Sequence, residues 1–221
     1  EIRGKSVAEL DALLEEAFSF DNFAWQRDNK VTVDVPFRAD GLHRILYKCP
    51  HCGEENRMEG KGIYLTCGAC GKKWKMDVYG QLAACEGETE YPHIPDWYAW
   101  QRQCVKRDIL GDIYSFESPV RILMGVDHRH IYEVGNGVLR HDSEGFKLTG
   151  CDGKLDYKHP PLGSYSLYAD YFFYEIGDVI CIGTPKVLYY CFPKGAGDVV
   201  AKTRLATEEL HKILAAEKKN K

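Results

Sequence analysis

The apolar positions of the first twenty residues fall at helical spacing. Val7, Leu10, Leu13, Leu14, Ala17 and Phe18 recur every three or four residues and share one face of a helix over residues 6–20. Ser6 and Glu9 precede this run at the S-x-x-E spacing of a capping box. Phe20, Phe23 and Trp25 follow closely, so the helix carries an apolar face that the rest of the chain or a preceding domain must cover. From residue 31 the period shortens. Val31, Val33 and Val35 alternate with polar residues up to Pro36 and predict a short strand or an extended linker.

A second helix is predicted from Asp96 to Leu110, with Gly111 as its stop, after a stretch punctuated by Glu and Pro over 86–96. Trp97, Trp100, Cys104 and Ile109 fall near one face. Two tryptophans at this spacing predict core packing, with ligand stacking as the sharper alternative. From Pro119 onward the pattern is one of short strands: 121–126, 131–134, 138–141, 146–149, 154–157, 164–168, 172–176, 179–182 and 187–191. Asn136-Gly137 is the strongest turn signal among them, because a two-residue hairpin loop needs positive φ at both positions. After Gly195 and Gly197 the helical period returns at Val199, Val200, Leu205, Leu210, Ile213 and Leu214. Seven to nine strands closed by a C-terminal helix predict an α+β protein whose β-rich part is a barrel or sandwich. A pleckstrin-homology-like (PH-like) domain has this order of elements, and a small mixed α+β domain is the other architecture it allows.

The most specific motif is a pair of knuckles, Cys49-Pro50-His51-Cys52-Gly53 and Cys67-Gly68-Ala69-Cys70-Gly71, with fourteen residues between them. Two C-x-x-C hooks on a hairpin supply the four thiolates of a structural Zn²⁺ site, a zinc ribbon. Glycine after each hook permits the positive φ of the turn that aims amide N–H groups at sulfur. Cys49, Cys52, Cys67 and Cys70 are therefore the expected ligands. The alternatives are a redox dithiol or a site that uses His51. The expected organisation is a helical join over 1–30, the ribbon over 38–84, a linking helix over 92–111 and the β-rich domain over 117–217.

The 221 residues suffice for one or two domains, and the net charge of −4 argues against a protein built mainly to hold nucleic acid. Within residues 44–75, seven basic side chains face three acidic ones. A tetrathiolate zinc site takes back about two of those charges, so nucleic acid stays a possible partner through Lys72, Lys73 and Lys75 around Trp74. The other five of the nine cysteines, Cys85, Cys104, Cys151, Cys181 and Cys191, are scattered and read as small buried residues of a reducing cytosol. There is no signal-peptide pattern and no apolar run of about 18 residues. The expected location is cytoplasmic, at most peripheral to the inner face of the membrane. The chain enters at a charged helix start on Glu1, which suggests a piece of a longer protein.

Candidate chemistry outside the knuckles is sparse. His128, Arg129 and His130, with His141 across the expected Asn136-Gly137 turn, form a possible ligand-binding hairpin for an anion or metal. The plain alternative is a solvated loop. Tyr165, Tyr168, Tyr171, Phe172, Phe173 and Tyr174 offer rings for a base or a membrane interface, or one core face and one partner-covered face. No G-x-S-x-G, glycine-rich phosphate loop or H-E-x-x-H occurs, and no histidine has aspartate five positions later. No catalytic residue is assigned.

Arg38-Ala39-Asp40-Gly41-Leu42-His43-Arg44, running into Tyr47-Lys48-Cys49-Pro50-His51-Cys52-Gly53, resembles the C-terminal extension of bacterial acyltransferases related to 1-acylglycerol-3-phosphate (lysophosphatidate) acyltransferases. His93-Ile94-Pro95-Asp96-Trp97-Tyr98, Leu148-Thr149-Gly150-Cys151-Asp152-Gly153 and Asp198-Val199-Val200-Ala201-Lys202 extend the resemblance over nearly the whole chain. The resemblance implies an upstream domain with an H-x-x-x-x-D box that moves an acyl chain from a thioester carrier to a lysophospholipid hydroxyl at the membrane surface. This chain lacks the box. It would be a non-catalytic region with a structural zinc ribbon, its partners the upstream domain, the membrane surface, a lipid or an acyl carrier. A zinc-ribbon adaptor for nucleic acid or protein is the alternative.

Overall fold

The computed structural model describes residues 3–127, 130–195 and 199–219. Among them are four α-helices and two antiparallel sheets, an α+β architecture. Helix α1 (Val7–Phe18) starts where the capping box places it. The Ser6 hydroxyl accepts from the Glu9 amide, and the Glu9 carboxylate accepts from the Ser6 amide at 2.7 Å. No residue of α1 is buried, and Phe18 is 83% exposed. The apolar face is therefore not covered by the other described residues. Helix α2 (Asn22–Asp28) is anchored instead, by Asp21 on His93 at 2.6 Å and by Gln26 Nε2 donating to the Val78 carbonyl. Residues 31–35 form no strand; a single bond from Val33 N–H to the Val78 carbonyl holds this extended segment against the small sheet.

That sheet runs β1 (Met58–Lys61), β2 (Tyr64–Cys67), β3 (Lys73–Met76) and β4 (Leu82–Ala84) in chain order. Alternation sends Met58, Leu65, Trp74 and Leu82 inward. Four short strands cannot enclose a core alone. Helix α3 (Ile94–Leu110) supplies the missing wall: Trp97 is fully buried with its ring 5.0 Å from that of Trp74, and its indole N–H donates to the Lys48 carbonyl. Trp97 is core, while Trp100 is only half-buried, beside Tyr91.

The larger sheet has seven strands: β5 (Phe116–Val126), β6 (His130–Asp142), β7 (Gly145–Gly150), β8 (Leu155–His159), β9 (Tyr168–Phe173), β10 (Gly177–Gly183) and β11 (Val187–Pro193). Their order is β8-β7-β6-β5-β11-β10-β9. The outer strands β8 and β9 do not pair with each other, so the closed barrel among the expected architectures is corrected to an open sheet. Asn136-Gly137 is a second correction. It lies inside β6, where Gly137 pairs with Val120 on one side and Gly150 on the other. A Cβ on Gly137 would lie 2.8 Å from Ile122 Cδ1 and collide with the Thr149 carbonyl. The glycine serves close approach of strands, not reversal. The expected segments 131–134 and 138–141 are thus one strand, bulged at Val134 opposite Ile122/Leu123 of β5, and 164–168 and 172–176 give way to β9 alone.

Helix α4 (Val199–Lys219) closes the molecule. Val200 enters the core of the large sheet, while Ala201, Leu205 and Ala206 pack with Tyr47, Val105 and Tyr114. The second group joins the ribbon, α3 and α4 in one apolar cluster. Arg102 on α3 bridges Glu208 at 2.7 Å and Glu209 at 3.0 Å on α4.

Candidate metal centre

Each C-x-x-C hook is a tight turn ended by a glycine at positive φ, 80° at Gly53 and 78° at Gly71. Within the hooks the Gly53 amide donates to the Cys49 carbonyl and the Gly71 amide to the Cys67 carbonyl. The β1–β2 hairpin sets the hooks side by side, since Cys67 pairs with Met58 and the Gly68 amide donates to the Arg57 carbonyl. All four sulfurs lie within 4.8 Å of one another. Cys49 Sγ is 3.9 Å from Cys70 Sγ, and Cys52 Sγ is 3.8 Å from Cys67 Sγ. A tetrahedron with metal–sulfur bonds of about 2.3 Å has edges of roughly 3.8 Å. The four thiols therefore fit a single tetrahedral cation.

The thiols of the cluster respond in opposite directions to their surroundings. Burial raises the Cys49 thiol above its ordinary pKa, although the Cys52 and His51 amides pull against it. Burial likewise raises Cys52. At Cys67 burial also opposes ionisation, but the Cys70 and Ala69 amides outweigh it and hold the thiol below its ordinary value. Cys49 and Cys67 are buried, Cys52 and Cys70 exposed. The exposed side borders a groove of about 620 Å³ lined by His51, Cys70, Lys72, Cys85 and Glu90. His51 turns to Glu90 at 3.3 Å and stands outside the thiol set. Cys85 is exposed, unlike the buried Cys104, Cys181 and Cys191, which corrects its reading as a core residue.

The first knuckle is tied to the far end of the chain. Glu55 accepts from Lys48 at 3.1 Å and from Lys202 of α4 at 2.7 Å. Burial would lift the Glu55 carboxyl, and the two ammonium groups outweigh it, holding the group below its ordinary value. With 147 positions between the partners, no local sequence signal marks this link.

The remaining expected sites fare differently. His128 and Arg129 lie outside the described residues. His130 is exposed at the first position of β6, whereas His141 is 1% exposed near the other end. At the strand rise the two are roughly 35 Å apart. The structure does not bring them together, because the turn expected between them is strand. His141 accepts or donates at 2.9 Å to the Tyr114 hydroxyl and stacks on Phe146 at 3.8 Å. Burial, with His159 adding to it, lowers its pKa to about 3, so it is a neutral core residue. Lys72 is committed to Glu90 at 2.6 Å and to the Glu88 carbonyl, leaving Lys73 and Lys75 on the surface. Of the aromatic stretch, Tyr165, Tyr168, Phe172 and Tyr174 are exposed.

One polar chain escaped the sequence reading. His159 Nε2 lies 2.8 Å from Ser164 Oγ, and its Nδ1 lies 3.2 Å from the Tyr157 hydroxyl. A neutral imidazole gives one hydrogen bond and takes one, and burial keeps His159 toward that neutral form. Gly163 packs against the same ring, so the trio pins the turn at 160–163. The Pro160-Pro161-Leu162-Gly163 run was the available signal for that turn.

No family model, curated protein or solved structure matches the chain. Fold and site together define an α+β protein with two antiparallel sheets and a four-thiol site able to hold a metal ion. Among the described residues no helix is long and apolar enough to cross a membrane.

Proposed function

We propose that this chain is a non-catalytic binding and positioning unit held together by a structural Zn²⁺ ion. The observation that carries the reading is the closed set of four thiols at tetrahedral spacing. Four protein ligands leave zinc no position for a substrate or water, and an all-sulfur donor set suits zinc better than calcium, magnesium or manganese. Cys49, Cys52, Cys67 and Cys70 would hold the ion, and its contribution is to fix two hooks whose sheet is too small to stand alone. The large sheet supports a binding role: a four-strand and a three-strand meander joined through β5 and β11, with a helix packed on them, is the order of elements of a PH-like domain.

The resemblance carried by Arg38–Gly53 and His93–Tyr98 supplies the context: the C-terminal region of a bacterial lysophospholipid acyltransferase-like protein, with α1 as the join to an upstream domain. The uncovered apolar face of α1 supports that placement. Two measurements test the reading. Metal analysis of the purified chain should give one zinc per molecule, and acyl transfer from a thioester donor to lysophosphatidate should be absent. Turnover by this chain alone, or a metal-free folded chain with unchanged stability, overturns it.

A further inference from the structure

The outward face of the small sheet carries cations that no carboxylate among the described residues neutralises. Strand alternation places Lys61, Tyr64 and Lys75 in one cross-strand row, and Glu59, Thr66 and Lys73 in the next. Arg57 lies one pleat before Glu59. Arg57, Lys61, Lys73 and Lys75 are exposed and make no ion pair among the described residues, and Glu59 is the single acid in these rows. Lys72, the neighbour that does find a carboxylate, shows what a paired lysine looks like here.

The row of Lys61, Tyr64 and Lys75 lies at the hairpin tip, and an apolar loop borders that tip. The Ala39 amide donates to the Gly62 carbonyl, and the Val33 amide to the Val78 carbonyl, so residues 33–39 run past the hairpin tip and the β3–β4 turn. Along this loop Phe37 is 60% exposed and Val33 43%. Unpaired cations beside exposed apolar side chains are the two signals that stable adsorption to a charged bilayer needs, because either alone gives only marginal binding.

We propose that this face and the loop at its edge dock on an anionic lipid bilayer, with the lysines at the headgroup phosphates and Phe37 and Val33 in the interface. Charge complementarity selects the occupant. A second copy presenting the same face would oppose like charges. A single nucleic acid strand would want a stacking ring, and the Tyr64 ring is already covered by the Lys73 ammonium, 3.8 Å from its centroid. The inference deepens the acyltransferase-like reading, which it rests on for the membrane as a partner, by assigning that contact to this face.

The test uses the full, zinc-loaded chain in co-sedimentation with vesicles of phosphatidylcholine, with or without roughly one quarter phosphatidylserine. Binding is expected only to the anionic vesicles and should fall at least tenfold as NaCl rises from about 0.1 to about 0.5 M. Each lysine charge removed should cost roughly fivefold, so Lys61→Glu/Lys73→Glu/Lys75→Glu should lose at least a hundredfold. Phe37→Ser should weaken binding several-fold and leave the salt dependence unchanged. Lys154→Glu, in the β7–β8 turn of the other sheet, should bind as the parent does. All substituted positions are exposed, so unaltered thermal unfolding certifies each variant. Absent binding by the folded parent, binding indifferent to the triple reversal, or tighter binding to a single-stranded oligonucleotide at the same salt overturns the proposal. None of these outcomes touches the zinc stoichiometry or the acyl-transfer assay.

Discussion

Lys202, on the C-terminal helix, reaches across the molecule to place its ammonium 2.7 Å from the carboxylate of Glu55, three residues past the last cysteine of the first knuckle. The metal site and the large sheet are therefore mechanically joined, since α4 also buries Val200 in that sheet. Removing Glu55 leaves Lys48 and Lys202 unpaired and partly buried. Glu55→Gln should destabilise the fold by about 2 kcal/mol. A double-mutant cycle with Lys202→Met in urea should show coupling of about 1 kcal/mol; additive effects would show the bridge to be inert.

Cys49→Ser or Cys67→Ser should release the metal, and the damage should spread beyond the hooks. Tyr47, two residues before Cys49, is fully buried against Ala201, Leu205 and Val105. Chelation should therefore broaden hydrogen-exchange protection loss into α3 and α4 as well as β1–β4. Cys85→Ser, outside the thiol set, should leave metal content unchanged.

His141 makes stability fall on mild acidification. Its folded pKa, lowered to about 3, lies below the ordinary 6.5, so the unfolded chain binds more protons between those values. The stabilising difference is whole above pH 6.5 and drains as pH drops toward 3, at up to about 1.4 kcal/mol per pH unit. Against burial, the carboxyls of Glu55 and Glu209 are held low by their lysine and arginine partners, and that of Glu208 by the Ser166 hydroxyl and Arg102; they add a loss only below their ordinary 4.5. Unfolding midpoints at pH 7 and 5 isolate the histidine contribution, to which His159, also lowered by burial, adds. His141→Phe should reduce the slope over that interval, leaving the His159 part; an unchanged slope would put the proton elsewhere.

Gly137→Val should be far worse than a turn substitution. Its Cβ has no room beside Ile122 and the Thr149 carbonyl, so a loss of about 3 kcal/mol or failure to fold is expected from overpacking and strand separation. By contrast, deleting residues 1–20 should change the unfolding free energy by no more than about 0.5 kcal/mol, because no residue of α1 is buried.

These contrasts show where sequence reading succeeds. The Ser6–Glu9 cap and the two cysteine hooks are local, each element's geometry being written within a few residues. Asn136-Gly137 is local as well, yet glycine answers two demands, positive φ and close approach, and only the neighbouring strands β5 and β7 decide between them. His141 looked like a ligand because its burial is imposed by Tyr114 and Phe146 from other elements. Tyr157, His159 and Ser164 lay close in sequence, but their alignment required the turn that draws Ser164 back onto the ring.

Helix α3 bears on how the polypeptide can be cut. Trp97 near its start fills the small sheet, and Val105 and Arg102 further on grip α4. A fragment ending before residue 94 would expose Trp74 to water, and one beginning there would strand an indole with no partner. Expression trials that divide the chain in the stretch of residues 86–92 before α3 should give two insoluble halves, while co-expressed halves that share no covalent bond should assemble.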